Sequence, residues 1–322
     1  MKACMSLWKP NIYQPVGRVI LMEVQASPSV RAYAAEKNVT LVDVATSLKR
    51  SVLGKEDIDH FCATPNTNLG ISVASAVANT AEYWAIDHAQ FGPISVESLT
   101  RIEQVAEANL SAANAMIPQV THHDYVEISA IEAFRERVKS EAQQRGVKLT
   151  ALAFHLRALA ECLLKFPRFN ASISADKKHL ILKQYVHIAL AVDTPYGLVV
   201  PVLRDVTEKG LWDISSEVSD LVEKAQSRKL RPEEMAGGSI TISNLGRLGG
   251  TAFTPIVNPP QVAILGLSRS EFRPYWDGST WQTIPTIPLD LSYDHRIING
   301  ADAGRFMNAY RKFISMPELM FS

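Results

Sequence analysis

Between Leu289 and Phe306 the sequence reads LDLSYDHRIINGADAGRF, the stretch best suited to chemistry. Leu289, Leu291 and Tyr293 alternate as a strand does, and they deliver His295 between Asp294 and Arg296, just ahead of the small turn Asn299-Gly300-Ala301. An imidazole with an unperturbed pKa of about 6.5 can take and return a proton near neutral pH. A strand end is a suitable mount, because the scaffold fixes the side chain while its tip opens to substrate. A second candidate is Ser243, which closes the strand-like run Ser239–Ser243 and empties into Asn244-Leu245-Gly246-Arg247-Leu248-Gly249-Gly250. Three glycines there can cradle a phosphate through backbone N–H groups. No Walker lysine follows and the spacing is not GxGxxG, so turn chemistry is the favoured reading. A strand-end serine can also bond its own backbone, which leaves two roles open for Ser243.

Other reactive side chains read as structural. His122-His123-Asp124 lies in an alternating run, and adjacent strand residues point to opposite faces, so two imidazoles on one metal ion are disfavoured; one exposed and one half-buried histidine are expected. His155 falls in a helix that is apolar nearly all round and is expected to be a satisfied core histidine. Cys4, Cys62 and Cys162 lack CxxC spacing, so neither a zinc site nor a disulfide framework is indicated, and no metal is expected. With 33 basic and 33 acidic residues the chain has no bulk attraction for nucleic acid or an anionic membrane. No apolar run approaches the ~20 residues of a membrane span, and the N-terminus has no signal-peptide core, so a soluble, cytoplasmic protein is expected.

The elements that position these residues follow from periodicity. Leu99, Ile102, Val105, Ala106 and Leu110 make one helical face over Ser98–Ala115. Pro118 breaks it, and Gln119–Ile128 alternates as a strand. Ile131–Gly146 is an amphipathic helix stopped by glycine, and Thr150–Phe166 a central, buried one. The runs Leu180–Val192 and Gly197–Val202 carry the β-branched content of a sheet, and Gly210–Lys229 returns to helix. Upstream, Ser27-Pro28 opens a helix, with Val30, Tyr33, Ala34, Val39, Leu41 and Val44 as an apolar face. Residues 63–92 read as a linker in which ISVASAVANTAEYWAI can form a transient helix. The end of the chain, Met316–Phe321, is apolar, which fits a docking contact or an intramolecular tuck.

The DHR stretch resembles the DHRxxDG motif of the dihydrolipoamide acyltransferases, the acyltransferase cores of 2-oxoacid dehydrogenase complexes. The likeness extends through SLTRIEQVAEANLSAANAMIPQVTHHDYVEISAIEAFR, FPRFNASIS, ALAVDTPYGLVVPVLRDV and GGSITISNLGRLGGTAFTPIVNPPQVAILGLS, so it covers the chain from about Ile94 onward. It implies an α/β, two-layer fold of the chloramphenicol-acetyltransferase type with a mixed sheet. It also implies four parts: an irregular segment over residues 1–24, a small all-α peripheral subunit-binding-like domain over 25–62, the linker, and a catalytic domain over 93–322. Ser27-Pro28-Ser29-Val30-Arg31 and Lys55-Glu56-Asp57-Ile58 match the ends of the subunit-binding domain, and Arg31 is its candidate partner-binding residue. Its usual glycine-threonine-glycine loop is replaced by Ala45–Ser51, which removes easy access to positive φ.

The reaction implied is acyl transfer between a dihydrolipoyl thioester and coenzyme A, with His295 as general base, Ser243 as oxyanion donor and Asn299 in the place the motif most often gives to aspartate. Asp294, Arg296 and Gly300 are expected to shape the loop. Coenzyme A or acetyl-CoA is then a substrate. No lipoyl-type lysine is found, so the lipoyl group is expected from another chain or from a segment outside this sequence. The acyl group expected from the likeness of Asn244–Pro260 and the Trp276-Asp277-Gly278 turn to pyruvate-complex members is acetyl. The family's site lies between subunits of a homotrimer that assembles into a larger shell, with the 2-oxoacid decarboxylase and dihydrolipoamide dehydrogenase as further partners. Two other readings stand beside this one: a free-standing acetyltransferase acting on a small hydroxyl compound, and a non-catalytic scaffold subunit.

Overall fold

The computed structural model describes residues 25–63 and 85–320, apart from 38 and 49. The N-terminal segment and the transient helix expected near residue 75 lie outside the described residues. The chain forms two compact units, residues 1–96 and 97–322.

In the first unit, β1 (Gln25–Ala26) pairs in parallel with β2 (Val52–Leu53), and three helices follow in order: α1 (Pro28–Glu36), α2 (Leu41–Leu48) and α3 (Lys55–Ala63). Ser27 caps α1 by accepting from Val30 N, and Pro28 occupies the first turn, where its missing N–H costs nothing. Val30, Ala34, Val44, Ala45, Leu53 and Ile58 form the core of this unit. The exposed Arg31 donates its Nε to the Ala26 carbonyl at 3.1 Å.

The second unit opens with α4 (Arg101–Met116), started by a Thr100/Glu103 capping box. Its expected apolar face is exposed: Ile102, Val105 and Leu110 are all accessible, and only Ala113 is buried. After β3 (Gln119–Glu127) come α5 (Ser129–Arg137) and α6 (Lys139–Gln144). The single helix expected there is interrupted at Val138, whose backbone leaves helical geometry at φ −98° and ψ 11°. The central helix α7 (Ala151–Lys165) matches its expected span closely. Then follow β4 (Ala171–Ile173), β5 (Leu180–Leu182), β6 (Ile188–Thr194), β7 (Gly197–Val199), β8 (Val202–Leu203), α8 (Leu211–Gln226), β9 (Ile240–Asn244), β10 (Ala263–Leu267), β11 (Glu271–Trp276), β12 (Trp281–Asp294) and α9 (Gly300–Ser315).

The eight-stranded sheet has the path β11-β12-β10-β9-β6-β7, with β3 on β12 and β8 on β6. It is mixed: β10, β9 and β6 run parallel, while β12 is antiparallel to β10, β11 and β3. Helices α7, α8 and α9 cover one face, where Phe154, Leu159 and Phe306 pack with Ile242, Leu265, Leu289 and Leu291. A second layer of irregular chain, residues 245–262, covers part of the other face. Side chains tie it down, because its backbone groups have no ladder of their own: Gln119 Oε1 accepts from Val257 N at 3.0 Å, and Ser172 Oγ donates to the Pro260 carbonyl at 2.6 Å. The C-terminal tail is tucked in at Pro317 and Met320, which are buried, and Arg157 Nε donates to the Met320 carbonyl at 3.2 Å; Met316 stays exposed.

Candidate active site

Strand β12 alternates along its length, and its last residues sort by side. Leu289, Leu291 and Tyr293 enter the helical core, and Asp290, Ser292 and Asp294 lie on the opposite face. His295 is the first residue past the strand and is exposed. Its backbone is pinned: His295 N donates to the Pro118 carbonyl at 3.1 Å, and Asp294 N donates to the Val262 carbonyl at 2.8 Å. Ile297 N and Ile298 N both return to the Asp294 carbonyl at 3.0 Å, which closes the turn.

Each charge beside His295 has a structural partner in the other. Arg296 Nε donates to Asp294 Oδ1 at 2.9 Å and Nη2 to Oδ2 at 2.6 Å, a two-pronged contact that matches guanidinium to carboxylate. The hydrogen bond to Asp294 raises the Arg296 pKa above its ordinary value, so the guanidinium stays ionised. Asn299 is the N-cap of α9, its Oδ1 accepting from Asp302 N at 2.8 Å, and Gly300 is the first helical residue.

A further clamp holds this turn. Arg168 donates Nε and Nη2 to the Ile297 carbonyl at 3.2 and 2.8 Å. It sits inside FPRFNASIS, yet its partner is 129 residues away, a pairing that periodicity cannot signal.

Ser243 is half-buried near the end of β9. Its row across the sheet runs Ala191, Ser243, Gly266, Asp290, His123. Ile242 faces the core, so Ser243 lies on the same face as Asp290. The glycine loop that follows is largely self-satisfied: Gly246 N donates to Asn244 Oδ1 at 2.9 Å, and Leu248 N and Gly249 N both donate to the Leu245 carbonyl. Those donors are spent, which removes the phosphate-cradle reading. Gly249 and Gly250 have φ of 107° and 84°, a turn geometry that glycine alone adopts without strain.

His295 and Ser243 do not meet within one chain. Ser243 lies two strands from Asp290 in the same row, and His295 is five residues further along β12. A rise of about 3.3 Å per residue and a strand spacing of about 4.8 Å put their Cα atoms roughly 19 Å apart.

The two adjacent histidines separate as expected, His122 half-buried and His123 more exposed. What sequence did not signal is that His123 Nδ1 lies 2.6 Å from Oδ1 of the buried Asp290. His155 is buried with Nδ1 2.6 Å from the Tyr310 hydroxyl, but its Nε2 has no partner, so it is only half satisfied. Burial alone lowers its pKa to about 4. Among the described residues no group of three or more His, Cys, Asp or Glu side chains can hold a metal ion, and no helix is long and apolar enough to cross a membrane.

The family model for the catalytic domain of 2-oxoacid dehydrogenase acyltransferases matches residues 92–322. The chain belongs to the 2-oxoacid dehydrogenase acyltransferase family. It is 44% identical over 286 residues to the dihydrolipoyllysine-residue acetyltransferase component of the pyruvate dehydrogenase complex of Pseudomonas aeruginosa, covering 88% of this chain and 52% of that protein. The counterpart from Cupriavidus necator is 42% identical over 293 residues, with the same two coverages. The chain thus spans about half the length of the curated relatives it matches. Among solved structures, the dihydrolipoamide acetyltransferase of Azotobacter vinelandii, studied for the roles of a serine, a histidine and an asparagine in its catalytic mechanism, superimposes with a TM-score of 0.72 at 44% identity. The match covers 74% of this chain and 98% of that one. The cubic core of a pyruvate dehydrogenase multienzyme complex matches with a TM-score of 0.72 at 45% identity and the same coverages. The mixed α/β fold expected from sequence is therefore that of these acyltransferase cores.

Proposed function

We propose that this chain transfers acetyl groups between a dihydrolipoyl thioester and coenzyme A, as the catalytic core of a pyruvate dehydrogenase-type complex. The observation that carries the reading is the mount of His295: an exposed imidazole at a strand end, on a turn held by Pro118, Val262, Arg168 and the Asp294–Arg296 pair. Family membership and the residue types studied in the A. vinelandii enzyme, which recur here as Ser243, His295 and Asn299, support it.

The chemistry follows from the thiol. Coenzyme A, with a thiol pKa of about 8.5, is mostly protonated at neutral pH and needs a base. His295 takes that proton as the sulfur attacks the acetyl carbonyl of the dihydrolipoyl thioester. The tetrahedral oxyanion accepts a hydrogen bond from Ser243 Oγ, a contribution of about 3–4 kcal/mol judged from comparable donors. The intermediate collapses, the dihydrolipoyl sulfur leaves, and His295 returns the proton to it. Asn299 serves by capping α9 and so fixing the chain that follows His295.

Because His295 and Ser243 are too far apart to share one oxyanion within a chain, the working site takes the histidine from one protomer and the serine from another. A homotrimer that builds a larger shell meets this need. The exposed apolar side chains of α4, Ile102, Val105 and Leu110, are suited to such subunit contacts. In the same reading the first unit tethers the decarboxylase or dihydrolipoamide dehydrogenase through Arg31, the lipoyl group arrives from outside residues 1–322, and the complex works in the cytoplasm.

The test is the rate of acetyl transfer from acetyl-CoA to dihydrolipoamide by the purified chain and by His295→Ala. The reading expects transfer by the former and a loss of about 10²–10⁴ in kcat in the latter. Transfer to a small alcohol but not to dihydrolipoamide, or equal rates for both chains, contradicts it.

A further inference from the structure

Asp290 is a buried carboxylate, 1% exposed, that the reaction above does not use. A charge so far from water persists only where its oxygens are bonded. Both are: Oδ1 to His123 Nδ1 at 2.6 Å, and Oδ2 to the backbone N–H of Phe253 at 3.2 Å. The two partners differ in kind. His123 belongs to β3 and is half open to solvent, whereas Phe253 belongs to the irregular segment laid over the polar face of the sheet.

Phe253 is where this bond gains a consequence. Its ring rests on Gly266, so closely that a Cβ added to Gly266 would lie 2.6 Å from Phe253 Cζ and 3.2 Å from Asp290 Cβ. Gly266 in turn is the β10 residue registered with Ser243. The ring therefore occupies the sheet position next to the proposed oxyanion donor, and only a residue without a side chain at 266 leaves room for it. Asp290 holds the ring's backbone from below while His123 completes the carboxylate.

We infer that Asp290 and His123 are a positioning pair for the Ser243 side of the site: through Phe253 they set the size of the space in which the acyl group meets Ser243. The inference rests on the acyl-transfer reading for its functional half, and on geometry alone for the anchor.

The test uses the full chain and two measurements. The first is amide exchange across residues 245–262 in wild type, Asp290→Ala and Asp290→Asn. Loss of the carboxylate in D290A should speed exchange at Phe253 by about tenfold or more, and D290N, which keeps an acceptor for Phe253 N–H, should recover most of the protection. The second is the ratio of kcat/KM for acetyl-CoA over butyryl-CoA with dihydrolipoamide. D290A should shift it by about threefold or more toward butyryl-CoA, and D290N should restore it, a pattern that general destabilisation does not produce. Wild-type exchange at Phe253 and an unchanged ratio in D290A overturn the inference. If D290A does not fold, His123→Ala reads the same exchange arm, with about threefold faster exchange expected and no change contradicting the anchor. A wild-type chain that transfers no acetyl group overturns the acyl-transfer reading alone, since the exchange arm requires no turnover.

Discussion

The two faces of β12 use one backbone for opposite ends. On one face Leu289, Leu291 and Tyr293 are buried among α7, α9 and the neighbouring strands. On the other, Asp290, Ser292 and Asp294 are just as buried, yet each is polar and each is bonded: Asp290 to His123 and Phe253, Ser292 to Thr121 at 2.7 Å, Asp294 to Arg296. Burial therefore does not separate core from site in this strand. What separates them is whether the buried atoms need partners. The apolar face is satisfied by packing and tolerates no gap, while the polar face is satisfied by directed bonds that also fix where loops and reactive side chains lie.

That difference can be tested by cutting the apolar face and, separately, the reactive side chain on the turn that the polar face anchors. His295→Ala, just past the strand end on the turn that Asp294 anchors, is expected to give the largest functional effect of the set, the loss of about 10²–10⁴ in kcat described above, with a melting temperature close to that of wild type because His295 is exposed. Leu291→Ala, on the apolar face, is expected to reverse the pattern, lowering unfolding stability by about 2–5 kcal/mol in a denaturant titration through the cavity it leaves. A comparable stability loss from both substitutions would erase the distinction between packed core and positioned site.

A smaller effect comes from an unsatisfied histidine on the helical side. His155 carries an unpartnered Nε2 and has its pKa lowered by burial from 6.5 to about 4. At neutral pH it is uncharged whether the chain is folded or not. As the pH falls below 6.5 the unfolded chain takes up a proton that the folded chain refuses until about 4. Stability should accordingly drop on acidification through that window, by up to about 3 kcal/mol from this residue. Urea midpoints at pH 7.5 and pH 5 should show the drop in wild type and a shallower one in His155→Leu. An equal drop in both would place the acid sensitivity elsewhere.

How much of this was legible in the sequence depended on the range of the interaction. The alternation of β12, the apolar circumference of α7 and the Ser27-Pro28 start of α1 are short-range patterns, and each appears in the fold at nearly its expected place. Asn299 as a helix cap was also locally readable, since an asparagine directly before Gly300-Ala301 is a common start signal. The bonds that shape the site join distant parts of the chain: His123 and Asp290 are 167 residues apart, Arg168 and Ile297 129. No periodicity encodes such pairs. The exposure of the α4 face is a third kind of case, in which the amphipathic pattern is real but its covering surface is not supplied by the described residues of the second unit.

The central claim is that one working site draws His295 and Ser243 from different protomers. It is tested most directly by mixing two chains that are each inactive, His295→Ala and Ser243→Ala, unfolding and refolding them together, and measuring acetyl transfer to dihydrolipoamide. Random assembly into trimers pairs an intact histidine with a neighbour's intact serine at about one site in four, so the account predicts recovery of about a quarter of wild-type activity. Mixed assemblies that remain as inactive as either parent would contradict it and return both residues to separate roles within a single chain.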